Sequence, residues 1–191
     1  MQFQPDFEEF LDQSADNDVI AVSAEFTADA ETPLSAYAKL SSEKPAFLFE
    51  SVVGGEQVSR FSFVGFGPRK TIACGQSTTE IKERGKAPRS ISTPDDPLKL
   101  IEDEFAGIRY LGAADDTRFS GGAVGYISYE YANRIEPTVS LPEDDQLGLP
   151  LLFFMIADLV LIFDHACQTL AICANAYVGG DPTEAYQSSC A

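Results

Sequence analysis

Apolar positions recur along the chain with two periods, near 3.6 and near 2, and the changes between them mark out its helices and strands. Near the start, "PDFEEFLDQ" places Phe7, Phe10 and Leu11 on one side of a short helix, and "DVIAVSAEF" follows as an alternating strand. In "AETPLSAYAKL" Thr32 is a good N-cap and Pro33 suits the first helical position, where a backbone N–H would be unpaired in any case. Leu34, Tyr37, Ala38 and Leu40 then form an apolar face through to about Ser42.

"AFLFESVV" and "VSRFSFVGF" read as a hairpin closed around Gly54, Gly55, Glu56 and Gln57. Beyond Pro68, "RKTIACG", "TTEIKE" and "RSIST" are further short strands, the last two joined by "RGKAP". A helix starts in "DDPLKLIEDEF", with Asp96 as N-cap, Pro97 at the first position and Leu98, Ile101 and Phe105 facing inward. After a polar loop, "FSGGAVGYISYEYANRIE" is a glycine-marked strand running into a helical turn that carries Tyr131 and Arg134.

Two long strands, roughly 151 to 164 and 168 to 177, pair across the turn "DHACQ". They are almost continuously apolar, which predicts cover on both faces. Together these elements predict an α+β fold with a large, mostly antiparallel sheet and a few packed helices, over one domain spanning 1 to 191. The final "GGDPTEAYQSSCA" opens with a capping signal at Asp181 and Pro182, followed by too few residues to complete a buried helix. It points to a longer parent protein.

Charge narrows the function classes. The 30 acidic residues outnumber the 13 basic ones for a formal charge of −17, which repels both nucleic-acid phosphates and anionic lipid. Neither nucleic acid nor a membrane is an expected partner. The longest apolar run, 147 to 163, is interrupted by Pro150 and Asp158, lacks basic anchors, and falls short of the roughly 20 residues a spanning helix needs. The N-terminus lacks the basic and apolar regions of a signal peptide, so a cytoplasmic location is expected. The four cysteines are widely spaced and His165 is the single histidine, so reduced thiols are expected and neither a zinc site nor a disulfide framework is indicated.

One position conflicts with its surroundings. Glu50 lies between Phe49 and Val52, next to Ser51, in a run that otherwise reads as buried sheet. An unpaired carboxylate there costs several kcal/mol at least, so it must reach water, a protein cation or a cationic ligand. A salt bridge to a nearby arginine such as Arg60 satisfies this. So does a ligand ammonium held by Glu50, with Ser51 adding a hydroxyl.

Other candidates have plainer explanations. "GFGPRK" lacks the third glycine of a dinucleotide fingerprint and the ending of a P-loop, so it reads as a turn. The glycines of "GGAVGY" suit a bulge or a close backbone approach. His165 reads as a turn residue, and the acidic runs "IEDEF" and "LPEDDQ" as solvated faces.

Four motifs, "ETPLSAYAKL", "FLFESVVGGEQVSRFSFVGFGP", "GGAVGYISYEYANRIE" and "LPLLFFMIADLVLIFDH", resemble in order and spacing the N-terminal half of anthranilate synthase component I. The resemblance runs from about residue 17 to the last strand. It implies a lyase that converts chorismate and ammonia from glutamine to anthranilate and pyruvate, within tryptophan biosynthesis. In that family a Leu-Leu-Glu-Ser segment belongs to the allosteric site at which tryptophan inhibits the enzyme. Here it reads Leu48, Phe49, Glu50 and Ser51, departing only at Phe49. The resemblance therefore assigns Phe49, Glu50 and Ser51 to a tryptophan pocket, with Arg60, or its neighbour Ser59, near a further lining position.

The family's catalytic groups and its Mg²⁺ ligands belong to the C-terminal half, so neither a catalytic nor a metal-binding residue is assigned to this chain, and the fragment alone is expected to be inactive. Implied partners are tryptophan, a glutamine amidotransferase subunit and the protein's own catalytic domain. Two other readings share these features. One is the related aminodeoxychorismate synthase component I of the folate pathway, and the other is a free-standing, non-catalytic ligand-binding domain.

Overall fold

In the computed structural model residues 2–42, 44–50, 60–113, 119–141, 145 and 147–191 are described. In chain order their elements are α1 (Phe7–Gln13), β1 (Val19–Thr27), α2 (Pro33–Leu40), β2 (Ala46–Glu50), β3 (Phe61–Phe66), β4 (Lys70–Cys74), β5 (Thr78–Glu83) and β6 (Arg89–Ser92). There follow α3 (Lys99–Asp103), β7 (Tyr110–Leu111), β8 (Gly122–Ile127), a 3-10 turn (Tyr129–Tyr131), α4 (Ala132–Ile135), β9 (Leu152–Ala157), β10 (Leu159–Asp164), β11 (Thr169–Tyr177) and α5 (Pro182–Cys190). The fold is α+β, as the patterning predicts, and its strands are divided between two mostly antiparallel sheets.

The chain forms two compact units. The first comprises Met1–Pro68, Gly107–Gly122 and Ala157–Ala191, and the second Arg69–Ala106 and Ala123–Ile156. In the first, six strands run in the order β2-β3-β10-β11-β1-β7. The β1–β11 ladder is antiparallel over the full length of both strands, from Val19 opposite Tyr177 to Thr27 opposite Thr169. The two-residue strand β7 lies parallel to β1 within the segment expected to be a polar loop. Asp18 holds it there, accepting from the Arg109 backbone N–H at 2.8 Å and from its guanidinium at 2.9 and 3.1 Å.

Strand alternation sends Ile20, Val22, Val64, Leu161, Phe163 and Ala176 to one face of this sheet. Helices bury that face. Phe10 of α1 packs on Ile20, Val22 and Ala176, joined by Ala185 and Tyr186 of α5. The Tyr186 ring lies 5.0 Å from that of Phe10 and 5.3 Å from that of Phe7. Over Val64, Leu161 and Phe163 sits α2, opened by a capping box between Thr32 and Ser35. Its inward residues are Pro33, Ala36, Tyr37 and Leu40, whereas Leu34 is 61% exposed. The helical turn that aims Ala36, Tyr37 and Leu40 at the sheet carries Leu34 away from it. The opposite face carries Phe47, Phe49 and Phe63, with Phe119 edge-on to Phe47 and Phe63.

The second unit holds the order β6-β5-β4-β9-β8. Its core joins Ile72, Cys74, Ile81 and Leu152 to Ile101 of α3 and to Tyr131, whose hydroxyl donates to Asp96 at 3.2 Å. Asp96 also accepts from the Leu98 N–H, ahead of a helix that starts at Lys99, and Phe105 is 40% exposed rather than turned inward. Lys70 is buried by pairing with Glu104 at 2.5 Å and Glu83 at 3.7 Å, so the lysine of "GFGPRK" belongs to a structural ion network. Gly125 is required by close approach, since a Cβ there would lie 1.9 Å from the Phe153 carbonyl oxygen. Gly121, at φ +145°, meets the Asn175 side chain just as closely. Both agree with the reading of "GGAVGY".

The expected strand over 151 to 164 is instead two strands. At Asp158 the chain leaves the five-stranded sheet, where β9 pairs with β4, and enters the six-stranded one, where β10 lies between β3 and β11. A single acidic residue with apolar neighbours on both sides, and with no glycine or proline beside it to signal a turn, is the break in the pattern. The four cysteines are free, as expected of reduced thiols, and burial pushes the Cys173 thiol up to about 12.

Candidate functional site

Strand β2 is an edge strand, and its burial falls away along its length, from Phe47 at 8% exposure to Phe49 at 51%. Glu50, at its end, is exposed. The carboxylate that looked buried in sequence is open to solvent. Directly across the ladder from Glu50 is Ser62 of β3, and across from Ser62 is Phe163 of β10, so these three share a face. Phe49 projects to the other face, beside Phe47.

Arg60 does not pair with Glu50. Its Nε donates to Asp164 Oδ1 at 3.2 Å and its Nη2 to Oδ2 at 2.8 Å, and the guanidinium lies 4.8 Å from the centre of the Phe61 ring. This bidentate contact fixes orientation as well as charge. Asp164 ends β10 with a side chain only 1% exposed, and it also accepts from the backbone N–H groups of Ala166 and Cys167 at 3.0 and 3.1 Å. The Arg60 guanidinium, helped by those amides and opposed by burial, lowers the Asp164 carboxyl to about 2. Asp164 is the organising group that the sequence did not single out. Its signal is an aspartate placed where the apolar run meets the turn "DHACQ", the usual position for an Asx-type turn.

His165 occupies that turn, as expected, and does more there. Its backbone N–H donates to the Arg60 carbonyl at 2.8 Å, and its Nε2 is hydrogen bonded to the Ser62 hydroxyl at 2.8 Å. Ser62 is fully buried. Of the sequence-predicted residues, Glu50 and Arg60 thus lie at one corner of the six-stranded sheet, with Phe49 on the reverse face, and Ser51 lies outside the described residues.

Chemically, the corner offers an exposed carboxylate beside a buried serine–histidine pair. The buried Ser62 hydroxyl is closed to a substrate, so the arrangement suits binding of a cation rather than nucleophilic attack. Among the described residues no cluster of three or more His, Cys, Asp or Glu side chains could hold a metal ion, so a Mg²⁺ site does not fit the donors found here. Among the same residues no helix is long and apolar enough to cross a membrane.

The fold is an α+β module whose six-stranded sheet carries an exposed carboxylate, Glu50, on its β2 edge. No profile of a known protein family matches the chain. Individual proteins do. It is 34% identical over 187 residues to anthranilate synthase component 1 of Acetivibrio thermocellus, covering 98% of this chain and 37% of that protein. It is 37% identical over 165 residues to the probable anthranilate synthase component 1 of Schizosaccharomyces pombe, covering 85% of this chain and 30% of the other. The crystal structure of anthranilate synthase component I from Streptococcus pneumoniae superposes with a TM-score of 0.54 at 19% identity, over 86% of this chain and 34% of that one, and so shares its fold. The chain is thus similar to anthranilate synthase component I over nearly its whole length, and it spans about a third of the length of the curated relatives it matches.

Proposed function

We propose that this chain is the N-terminal regulatory part of an anthranilate synthase component I and contributes one side of a tryptophan feedback pocket. The complete protein converts chorismate and glutamine-derived ammonia to anthranilate and pyruvate in the cytoplasm. It works with a glutamine amidotransferase subunit, and Mg²⁺ is held by residues of its catalytic half. The observation that carries the reading is Glu50, an exposed carboxylate at the end of an edge strand, in a family whose corresponding segment borders that pocket. It can accept the ammonium of an amino acid. Ser51 and Phe49 complete the segment, and Arg60, held by Asp164, supports the corner from behind.

Tryptophan then inhibits by favouring one arrangement of regulatory and catalytic parts over another, which requires it to bind the two with different affinity. In the full-length protein, Glu50→Ala should raise the tryptophan concentration for half-inhibition by about tenfold or more, the worth of a charge-assisted hydrogen bond. Ser51→Phe should relieve inhibition as well. Half-inhibition measured against each variant's own uninhibited rate checks this, and unchanged values in both would sink the assignment.

A further inference from the structure

His165 is the single histidine of the chain, and its Nε2 bonds to a serine that has no access to water. The Ser62 hydroxyl has one proton and two lone pairs. When Nε2 is unprotonated it accepts that proton, and Ser62 turns toward the imidazole. In the imidazolium both ring nitrogens carry protons, so Nε2 must donate to the Ser62 oxygen and the hydroxyl proton has to turn elsewhere. Directly across the β2–β3 ladder on the same face is Glu50, at a separation where opposed side chains interact.

We propose that His165, acting through Ser62, sets how strongly Glu50 holds a cation: firmly while the imidazole is neutral, weakly once it is protonated. The inference rests on the reading of Glu50 as the receptor for an amino acid's ammonium. Two effects act in the same direction. The imidazolium adds a positive charge on the far side of Ser62 from the carboxylate that must receive the ammonium, and a Ser62 proton turned toward Glu50 occupies a lone pair the ligand would use.

Charged and titratable groups near the imidazole include Glu50, across the β2–β3 ladder from Ser62, Arg60 at the start of β3, and Asp164 and Cys167 in its own turn. Asp164 is ionised down to about pH 2 and Arg60 stays protonated, so this pair keeps its charge while the imidazole titrates. His165 is therefore a positioning residue whose charge Glu50 feels.

In the full-length protein the nuclear magnetic resonance signal of His165 is identified by its loss in His165→Gln. The imidazole of His165 should titrate at a higher pH in the wild-type chain than in Glu50→Gln, because the carboxylate stabilises the imidazolium. In Ser62→Ala the same Glu50→Gln change should have a smaller effect. Glu50 is exposed, so Glu50→Gln keeps the test valid even if Ser62→Ala fails to fold. Identical His165 titrations in wild type and Glu50→Gln overturn the proposal.

In the full-length protein, the tryptophan concentration for half-inhibition should rise by roughly threefold or more between about pH 8 and about pH 5.5. His165→Gln, which cannot charge, should flatten that rise. A rise equally steep in His165→Gln overturns the relay while leaving Glu50 as the receptor. Inhibition that ignores Glu50→Ala overturns the receptor reading instead, and with it the ligand effect of the relay.

Discussion

Two arginine–aspartate pairs brace the six-stranded sheet, and they differ in one respect that decides what each is worth. Arg60 and Asp164 meet between β3 and β10, and Arg109 and Asp18 meet between β7 and β1. Both are forked, and in both the hydrogen bonds of the arginine lower the aspartate carboxyl to about 2. The Asp164 side chain is 1% exposed and that of Asp18 is 43% exposed. An equal displacement of two carboxyl groups therefore conceals unequal structural roles. Water can replace Arg109 at Asp18, whereas Asp164 is shut off from water and depends on protein donors, among them Arg60 and two turn amides.

The largest effect expected from breaking this contrast is in Asp164→Ala, which strands the Arg60 fork and the Ala166 and Cys167 amides together. It should cost about 3 kcal/mol, read as a lower midpoint of urea unfolding. The variant should also change the acid limb of the stability curve. The native carboxyl of Asp164 is depressed, so its contribution is complete above the ordinary value of 3.8 and is lost as pH falls toward about 2. Acid titration of unfolding should be shallower over that interval in Asp164→Ala, and an unaltered slope would show that the turn does not depend on the carboxylate.

Arg60→Lys comes next. A lysine keeps the charge and loses the fork, while Asp164 retains its backbone amides, so the midpoint should fall by less than in Asp164→Ala. If the two variants fall equally, the guanidinium geometry carries the whole effect. The smallest change belongs to Asp18→Asn, whose effect should vanish in high salt because the exposed pair is screened. A loss at Asp18 that matches Asp164 and survives salt would overturn the distinction.

Much of the fold is legible along the chain. The Thr32 and Asp181 caps, the β2–β3 and β10–β11 pairings and the inward Phe10 and Ile101 follow from patterns a few residues wide. Less visible are β7, too short to show a period, and the passage of the chain between sheets at Asp158. The local pattern also gives Leu34 the same weight as Leu40, although only Leu40 packs on the sheet.

The candidate corner divides in the same way. That Glu50 points to one face of its strand and its two neighbours to the other is local geometry and needs no knowledge of the rest of the molecule, although the pattern extends the strand to Val53 where β2 is Ala46–Glu50. How exposed Glu50 is, and which partner Arg60 takes, depend on how far neighbouring cover extends and on contacts with remote parts of the chain. Asp164 lies 104 positions from Arg60, and His165 lies 103 positions from the serine it holds. Alternation along a strand dictates the direction of each side chain, but only the packed sheet brings such distant groups together, because a charge finds its partner through space and not through sequence.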